Sequence, residues 1–290
     1  MTSDQGPVVQ SALLRSELVR LRKETGLTQQ QVAANLDWSQ SKIIRIEGGH
    51  SSITRVDLDA LLGEYGPAAE KERGRLQALN RDARKQGWWH RYREVASPEY
   101  LAYVGYESGA ASIRQFQGAV VPGLLQTREY AEVLTVNSVE DEDKVGPVVD
   151  LRLQRQAELA KRENPPRQTY VLDEAVVRRH VGIHKDPAIM PAQLRHIVGR
   201  ARSDERITIR VILFEAGAHA GLSGPFTLLD FDADVPELVY LDAGRGTISM
   251  IIGSEGTISE YAASFEALLE DALPADKSLE FIERAAEDMS

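Results

Sequence analysis

The chain has 290 residues, enough for one large core or two domains, and its 42% apolar and 27% charged composition is that of an ordinary soluble globular protein. It holds no cysteine, which excludes disulfides and cysteine-ligated zinc and agrees with a reducing cytoplasm. The net charge of −10 argues at first against nucleic acid, but residues 10–66 carry seven Lys+Arg against seven Asp+Glu while residues 67–290 carry 27 against 36. The acidity therefore belongs to the larger C-terminal part, which is expected to repel DNA and to act as a sensor or partner module. A neutral N-terminal part implies modest nonspecific DNA affinity and a need for dimerisation. No run of about 18 apolar residues and no signal-peptide pattern is present, so no membrane contact is expected.

Residues 1–9 read as a disordered tail, followed by a compact unit over 10–66. Its first helix carries Leu14, Leu18 and Leu21 on one face and stops at Gly26. Thr28 and Gln31 have the spacing of a capping box, and Val32, Ala33 and Leu36 form the apolar stripe of a second helix. Asp37-Trp38 break that pattern, and Ser39 caps a third helix whose inward stripe is Ile43 and Ile46. Its outer face keeps Gln40, Ser41, Lys42 and Arg45, hydrogen-bonding side chains with no core to join, which fits the DNA major groove. Gly48 to Ser52 form a loop, a fourth helix uses Val56, Leu58, Leu61 and Leu62, and Gly66-Pro67 ends the unit.

Residues 67–87 are charged and helical in pattern and read as a fifth helix leading into a linker. Trp88-Trp89 mark entry to a second domain over 88–290. Helical patterns fall at about 107–118, 127–137 and 145–163, then again at 191–203, 256–272 and 276–288. Strand-like runs lie at 169–172, 207–214, 226–231, 238–242 and 247–252, with spacers that suit antiparallel turns. The fold class is an all-α helix-turn-helix domain joined to a larger α+β domain with an antiparallel sheet rather than a regular βαβ alternation.

With LRKETGLTQQQVA followed by SQSKIIRIEGG, residues 12–66 resemble the lambda-repressor-like (Xre or Cro/C1) helix-turn-helix family. The resemblance implies five helices, dimeric operator binding and a recognition helix at 39–47. It assigns Gln40, Ser41 and Arg45 to base contacts, with Lys42 nearby for a base or phosphate. Gln29 is to meet a phosphate and brace the recognition helix. Thr28, Ser39, Gly48, Ser52 and Arg55 fall among the backbone contacts, and Arg22 with Glu47 matches a buried structural ion pair. The chemistry agrees independently: Gln pairs with adenine N6/N7, Arg with guanine O6/N7, and a small Ser41 lets the helix approach the groove floor. One departure is Asp37, where the family commonly has Gly, although Asp tolerates the left-handed conformation better than most residues. A surface helix of an ordinary bundle with a solvated polar face is the bland alternative to DNA binding.

Residues 88–272 resemble the effector domain that follows such units in many actinomycete regulators. The landmarks are VPGLLQTREYA, RLQRQ, VLDEAVVRRHVG, GPFTLLDF and LVYLD. This implies a transcriptional regulator, often discussed as antitoxin-like and sometimes encoded beside a small partner protein, with no ligand specified.

Enzymatic and metal readings fare poorly. His180 and His184 have i,i+4 spacing, but Gly182 between them weakens a helix and no H-E-x-x-H is present. Asp173-Glu174 reads better as a strand-to-helix cap than as an acid–base pair. Gly217, Gly221 and Gly224 suit a long hairpin loop rather than a phosphate cradle. His219, Leu124, Tyr130 and Glu174 are the candidates for an effector pocket, with packing as the plain reading of Pro122 to Leu125. No catalytic residue, metal site or cofactor is expected. The expected protein is a cytoplasmic, homodimeric repressor of a double-stranded DNA operator, modulated by a small molecule or a small protein. An antitoxin-like module that mainly binds a small partner protein is the alternative, and an enzyme with a DNA-binding appendage is the third reading.

Overall fold

The structure, a computed structural model, describes residues 6–139, 141–232, 235–242, 248–252 and 255–290. The chain divides into two compact units between Trp88 and Trp89, with Asp232 and Val235 grouping with the first.

The first unit is a bundle of five helices: α1 (Pro7–Glu24), α2 (Gln29–Asn35), α3 (Gln40–Glu47), α4 (Arg55–Glu64) and α5 (Pro67–Ala83). α1 starts inside the stretch expected as a tail, because Pro7 presets the helical backbone at its first turn and Val9 is buried. The capping box is formed: the Gln31 backbone N–H donates to Thr28 Oγ1 at 3.2 Å, and the Thr28 N–H donates to Gln31 Oε1 at 2.9 Å. Ser39 and Thr54 cap α3 and α4 through the hydroxyl alone, accepting from the Lys42 and Asp57 N–H groups, each such cap contributing about 1 kcal/mol. Leu14, Leu18, Leu21, Val32, Ile43 and Ile46 meet in the core. Val56, expected to join them, is 77% exposed, since its place in the first turn of α4 turns it away from Leu58 and Leu62. α5 packs along α1, with Leu76 and Leu79 buried and Glu17 of α1 accepting from Arg75 at 2.7 Å, so this charged helix belongs to the bundle rather than leading out of it.

The second unit is a mixed sheet with helices. In chain order it comprises α6 (Pro98–Glu107), β1 (Ser112–Gln117), α7 (Arg128–Val136), α8 (Glu142–Ala160), β2 (Arg167–Asp173), α9 (Glu174–Arg178), α10 (Ile189–Ser203), β3 (Ile207–Ile212), β4 (Phe226–Asp230), β5 (Leu238–Asp242), β6 (Ile248–Ile252), α11 (Glu255–Asp271) and α12 (Ala275–Asp288). The strand order is β3-β2-β1-β4-β5-β6. The expected antiparallel pairing holds from β1 through β4 and β5 to β6, whereas β1, β2 and β3 run parallel. Parallel neighbours require crossovers, supplied by α7–α8 and by α9–α10, so half of this sheet does follow βαβ logic.

Residues 112–117, expected within a helix, form the strand at the centre of the sheet. β1 alternates faces: Phe116 packs with Phe226, Leu228, Val239 and the α11 residues Phe265 and Leu268, while Gln115 and Gln117 point to the other side. The 247–252 run is β6 from Ile248, Thr247 lying outside the described residues. Gly221 sits so close to the Phe116 ring that an added Cβ would lie 2.2 Å from Phe116 Cζ, which explains that glycine of the loop by packing.

Candidate nucleic-acid interface

The turn between α2 and α3 closes with the Trp38 N–H donating to the Ala33 carbonyl at 2.8 Å. Asp37 occupies the left-handed region at φ 56°, the conformation a Gly would take there without strain. This corner aims α3 so that Gln40, Ser41, Ile44 and Arg45 share one exposed face at i, i+4 spacing. Among the described residues the Arg45 guanidinium and the Gln40 amide have no partner. Ile44, passed over in a reading guided by polarity, is 46% exposed on this face and can touch a thymine methyl.

The other end of α3 is tied down. Arg22 grips Glu47 with Nε at 2.7 Å and NH2 at 3.0 Å, and donates from NH1 to the Leu27 carbonyl at 3.0 Å. Gln29 donates its amide to Glu47 Oε2 at 2.8 Å, so one carboxylate joins α1, α2 and α3. The second amide hydrogen of Gln29 is left for an outside acceptor. Buried Tyr65 lies beside this cluster, and burial first, then the Glu47 charge, push its phenol well above the usual range. Such a charge-assisted fork fixes the rotation of α3 about its axis.

Lys42 departs from its expected place on the reading face. Its Nζ lies 2.5 Å from Asp57 Oδ1 and 3.5 Å above the Trp38 ring, which ties it to α4 and to the turn. Burial pushes the Asp57 carboxyl up, but the bonds from Lys42 and Thr54 outweigh it, leaving the pKa below the ordinary value. The remaining sequence candidates lie around α3. Thr28 and Ser39 are exposed caps, Gly48 closes α3, Ser52 is exposed in the loop, and Arg55 opens α4 with its guanidinium in solvent.

The second unit holds a cavity of about 1000 Å³ against the sheet face opposite α11. Register places Gln115 beside Thr227 and Thr227 beside Tyr240, forming a row across β1, β4 and β5 that lines this cavity together with Gln117. Thr227 is 1% exposed, and among the described residues its hydroxyl and the amides of Gln115 and Gln117 have no hydrogen-bond partner. On the opposing wall Arg155 of α8 binds Glu107 of α6 with Nε at 2.8 Å and NH2 at 2.6 Å, and its NH1 donates to the Tyr100 hydroxyl. Burial pushes the Arg155 pKa down, and Glu107 and Tyr100 more than restore it, so the guanidinium stays charged. Tyr103 stacks on Tyr240 with centroids 3.9 Å apart and donates to Glu107 Oε1 at 2.7 Å.

Comparison with known families decides the rest. A helix-turn-helix domain matches residues 13–76, and a domain of unknown function (DUF5753) matches residues 100–284, more than half of the chain. The chain belongs to the DUF5753 family. It joins a helix-turn-helix module, with a DNA-binding and regulatory role, to a distinct DUF5753 domain. Neither matched family describes a catalytic domain. No curated protein matches the chain, and no solved structure does. Among the described residues no helix is long and apolar enough to cross a membrane, and no group of three His, Cys, Asp or Glu could hold a metal ion.

Within the DUF5753 domain the four candidate pocket residues do not converge on the cavity. Tyr130 is buried, and its hydroxyl accepts from the Val121 N–H at 3.0 Å. Leu124 is core. Glu174 takes the Phe214 N–H at 2.8 Å and Arg178 at 3.2 Å. His219 lies 3.2 Å from Asp173 and edge-on to Phe116, accepting from the Gly221 N–H. All four shape the domain through packing or capping. His180 and His184 are exposed outside any helix, so their spacing does not pair them. The residues that line the cavity were missed because Ser112–Gln117 alternates Gln and Phe, a pattern that hides a strand when its polar face is inward.

Proposed function

We propose that this protein is a sequence-specific transcriptional repressor of the Xre type that binds a pseudo-palindromic operator as a homodimer. Residues 10–66 are the reader, and residues 88–290 dimerise and receive the signal. The observation that carries the reading is the exposed Gln40, Ser41 and Arg45 face on a helix whose far end is locked by Arg22, Gln29 and Glu47. Gln40, Ser41 and Arg45 read base edges, with Ile44 against a thymine methyl, and Lys42 stiffens α3 against α4. Gln29, Thr28, Ser39, Gly48, Ser52 and Arg55 line the phosphate path. A neutral reader gains little from charge alone, which favours two copies with recognition helices about 34 Å apart.

Control is assigned to the DUF5753 cavity. Gln115, Gln117 and Thr227 offer donors and acceptors beside an ion pair already neutral, so the effector is a small neutral molecule with a hydrogen-bonding head and an apolar body. An effector acts by binding the DNA-competent and DNA-incompetent arrangements unequally.

The test uses DNA upstream of the protein's own gene. Arg45→Ala is expected to cost about 1–3 kcal/mol and to relax preference at one base pair. Gln29→Ala is expected to weaken binding evenly across sequences. Equal binding by the parent and both variants would refute the assignment. Co-purification of a small protein from the neighbouring gene, with no change in DNA binding, would favour the antitoxin-like role instead.

A further inference from the structure

Within the first unit, a cleft of about 480 Å³ is lined by Arg55 from the start of α4 and by Gln77, Asn80, Arg81 and Arg84 toward the end of α5. Its floor is unusual. Asn80 is only 5% exposed, and its side-chain amide has no hydrogen-bond partner among the described residues. The amide is not sealed off and opens into the cleft, where it can donate to whatever occupies it.

The charges point the same way. Gln77 donates to Asp59 at 2.7 Å, and Arg73 binds the same oxygen at 2.7 Å, so the nearest carboxylate is already neutralised. Arg55 approaches Asp59 only to 3.9 Å. Asp82 pairs with Lys85 at 2.9 Å and lies 3.7 Å from Arg81. Three guanidinium groups, all exposed, thus surround a buried amide donor. Basic residues in a last helical turn are often explained by the helix dipole. That accounts for Arg81 and Arg84 singly, but not for Arg55 at the opposite end of another helix, nor for the Asn80 amide that opens between them.

At its Arg55 end the cleft lies near the contact by which α4 holds α3. Arg55 lies two residues before Asp57, whose carboxylate holds Lys42 of α3. We propose that a phosphodiester of duplex DNA, outside the base pairs read by α3, seats in this cleft, with the Asn80 amide donating to it and Arg81 and Arg84 neutralising it. This rests on the DNA-binding reading above and adds a clamp from α5.

The experiment measures affinity against salt concentration for the full chain. One duplex carries the region upstream of the protein's own gene and a second is unrelated in sequence. Arg81→Ala/Arg84→Ala should lower affinity several-fold on both and reduce the slope of log affinity against log salt by about 1. Asn80→Asp, which aims a carboxylate at the phosphate, should weaken binding further. Arg81→Lys/Arg84→Lys should restore the slope, and thermal melting should find all variants folded. An unchanged slope in the double Ala variant overturns the clamp while leaving DNA binding intact. Loss of binding to inorganic phosphate with the DNA slope unchanged also overturns it, by giving the cleft to a free anion. If the parent protein shows no salt-dependent binding to either duplex, the DNA-binding reading itself fails.

Discussion

Each unit holds an Arg–Glu fork largely withdrawn from solvent, and these two forks do different work. Arg22–Glu47 shares its carboxylate with Gln29 and lies at the edge of the bundle, where it couples three helices to the orientation of α3. Arg155–Glu107 is buried in the wall of the cavity, flanked by the Tyr100 and Tyr103 rings at 5.4 and 5.5 Å. A partly solvated fork is a positioning device that tolerates loss. An enclosed fork has little water to replace a missing partner, so its removal strands a charge.

The contrast can be broken in order of size. Glu107→Ala leaves Arg155 buried and unpaired, and the second unit is expected to lose about 3–5 kcal/mol in denaturant unfolding. Adding Arg155→Met should recover most of that, because the cost is the stranded charge rather than the lost attraction. Glu47→Ala should cost about 2 kcal/mol in the first unit, since water reaches the freed Arg22, and should lower operator affinity along with stability. If Glu47→Ala proves the costlier of the two, the contrast is inverted. Smallest is the corner that aims α3. Asp37→Ala should cost about 1 kcal/mol at its left-handed backbone, whereas Asp37→Gly should melt no lower than the parent.

Legibility in the sequence followed the range of the interactions. The capping box of Thr28 and Gln31, the Ser39 cap and the Ile43/Ile46 stripe all act within four residues, so α2, α3 and the exposed face could be read directly. The Arg22–Glu47 fork spans 25 residues and was reached through family resemblance instead. Lys42 escaped because its ion-pair partner, Asp57, lies on α4 and meets it only once that helix has packed. Leu76 and Leu79 are too sparse along α5 to announce that the helix belongs to the bundle, and the ion pairs to Glu17 complete the case only in three dimensions. The cavity was the least legible part. A central strand with Gln on one face contradicts the usual signature of a buried strand, and the candidates chosen by motif proved to be caps and core.

The position of β1 has a consequence for how this family can diversify. Along one strand, Arg114 and Phe116 serve the α11 side, where Arg114 meets Asp230 at 3.0 Å, while Gln115 and Gln117 serve the cavity. Alternate letters of the same word therefore answer to separate pressures. Substitutions at 115 or 117 can change what the domain recognises while the scaffold beneath stays intact, whereas inserting one residue ahead of them would exchange the two roles at a stroke.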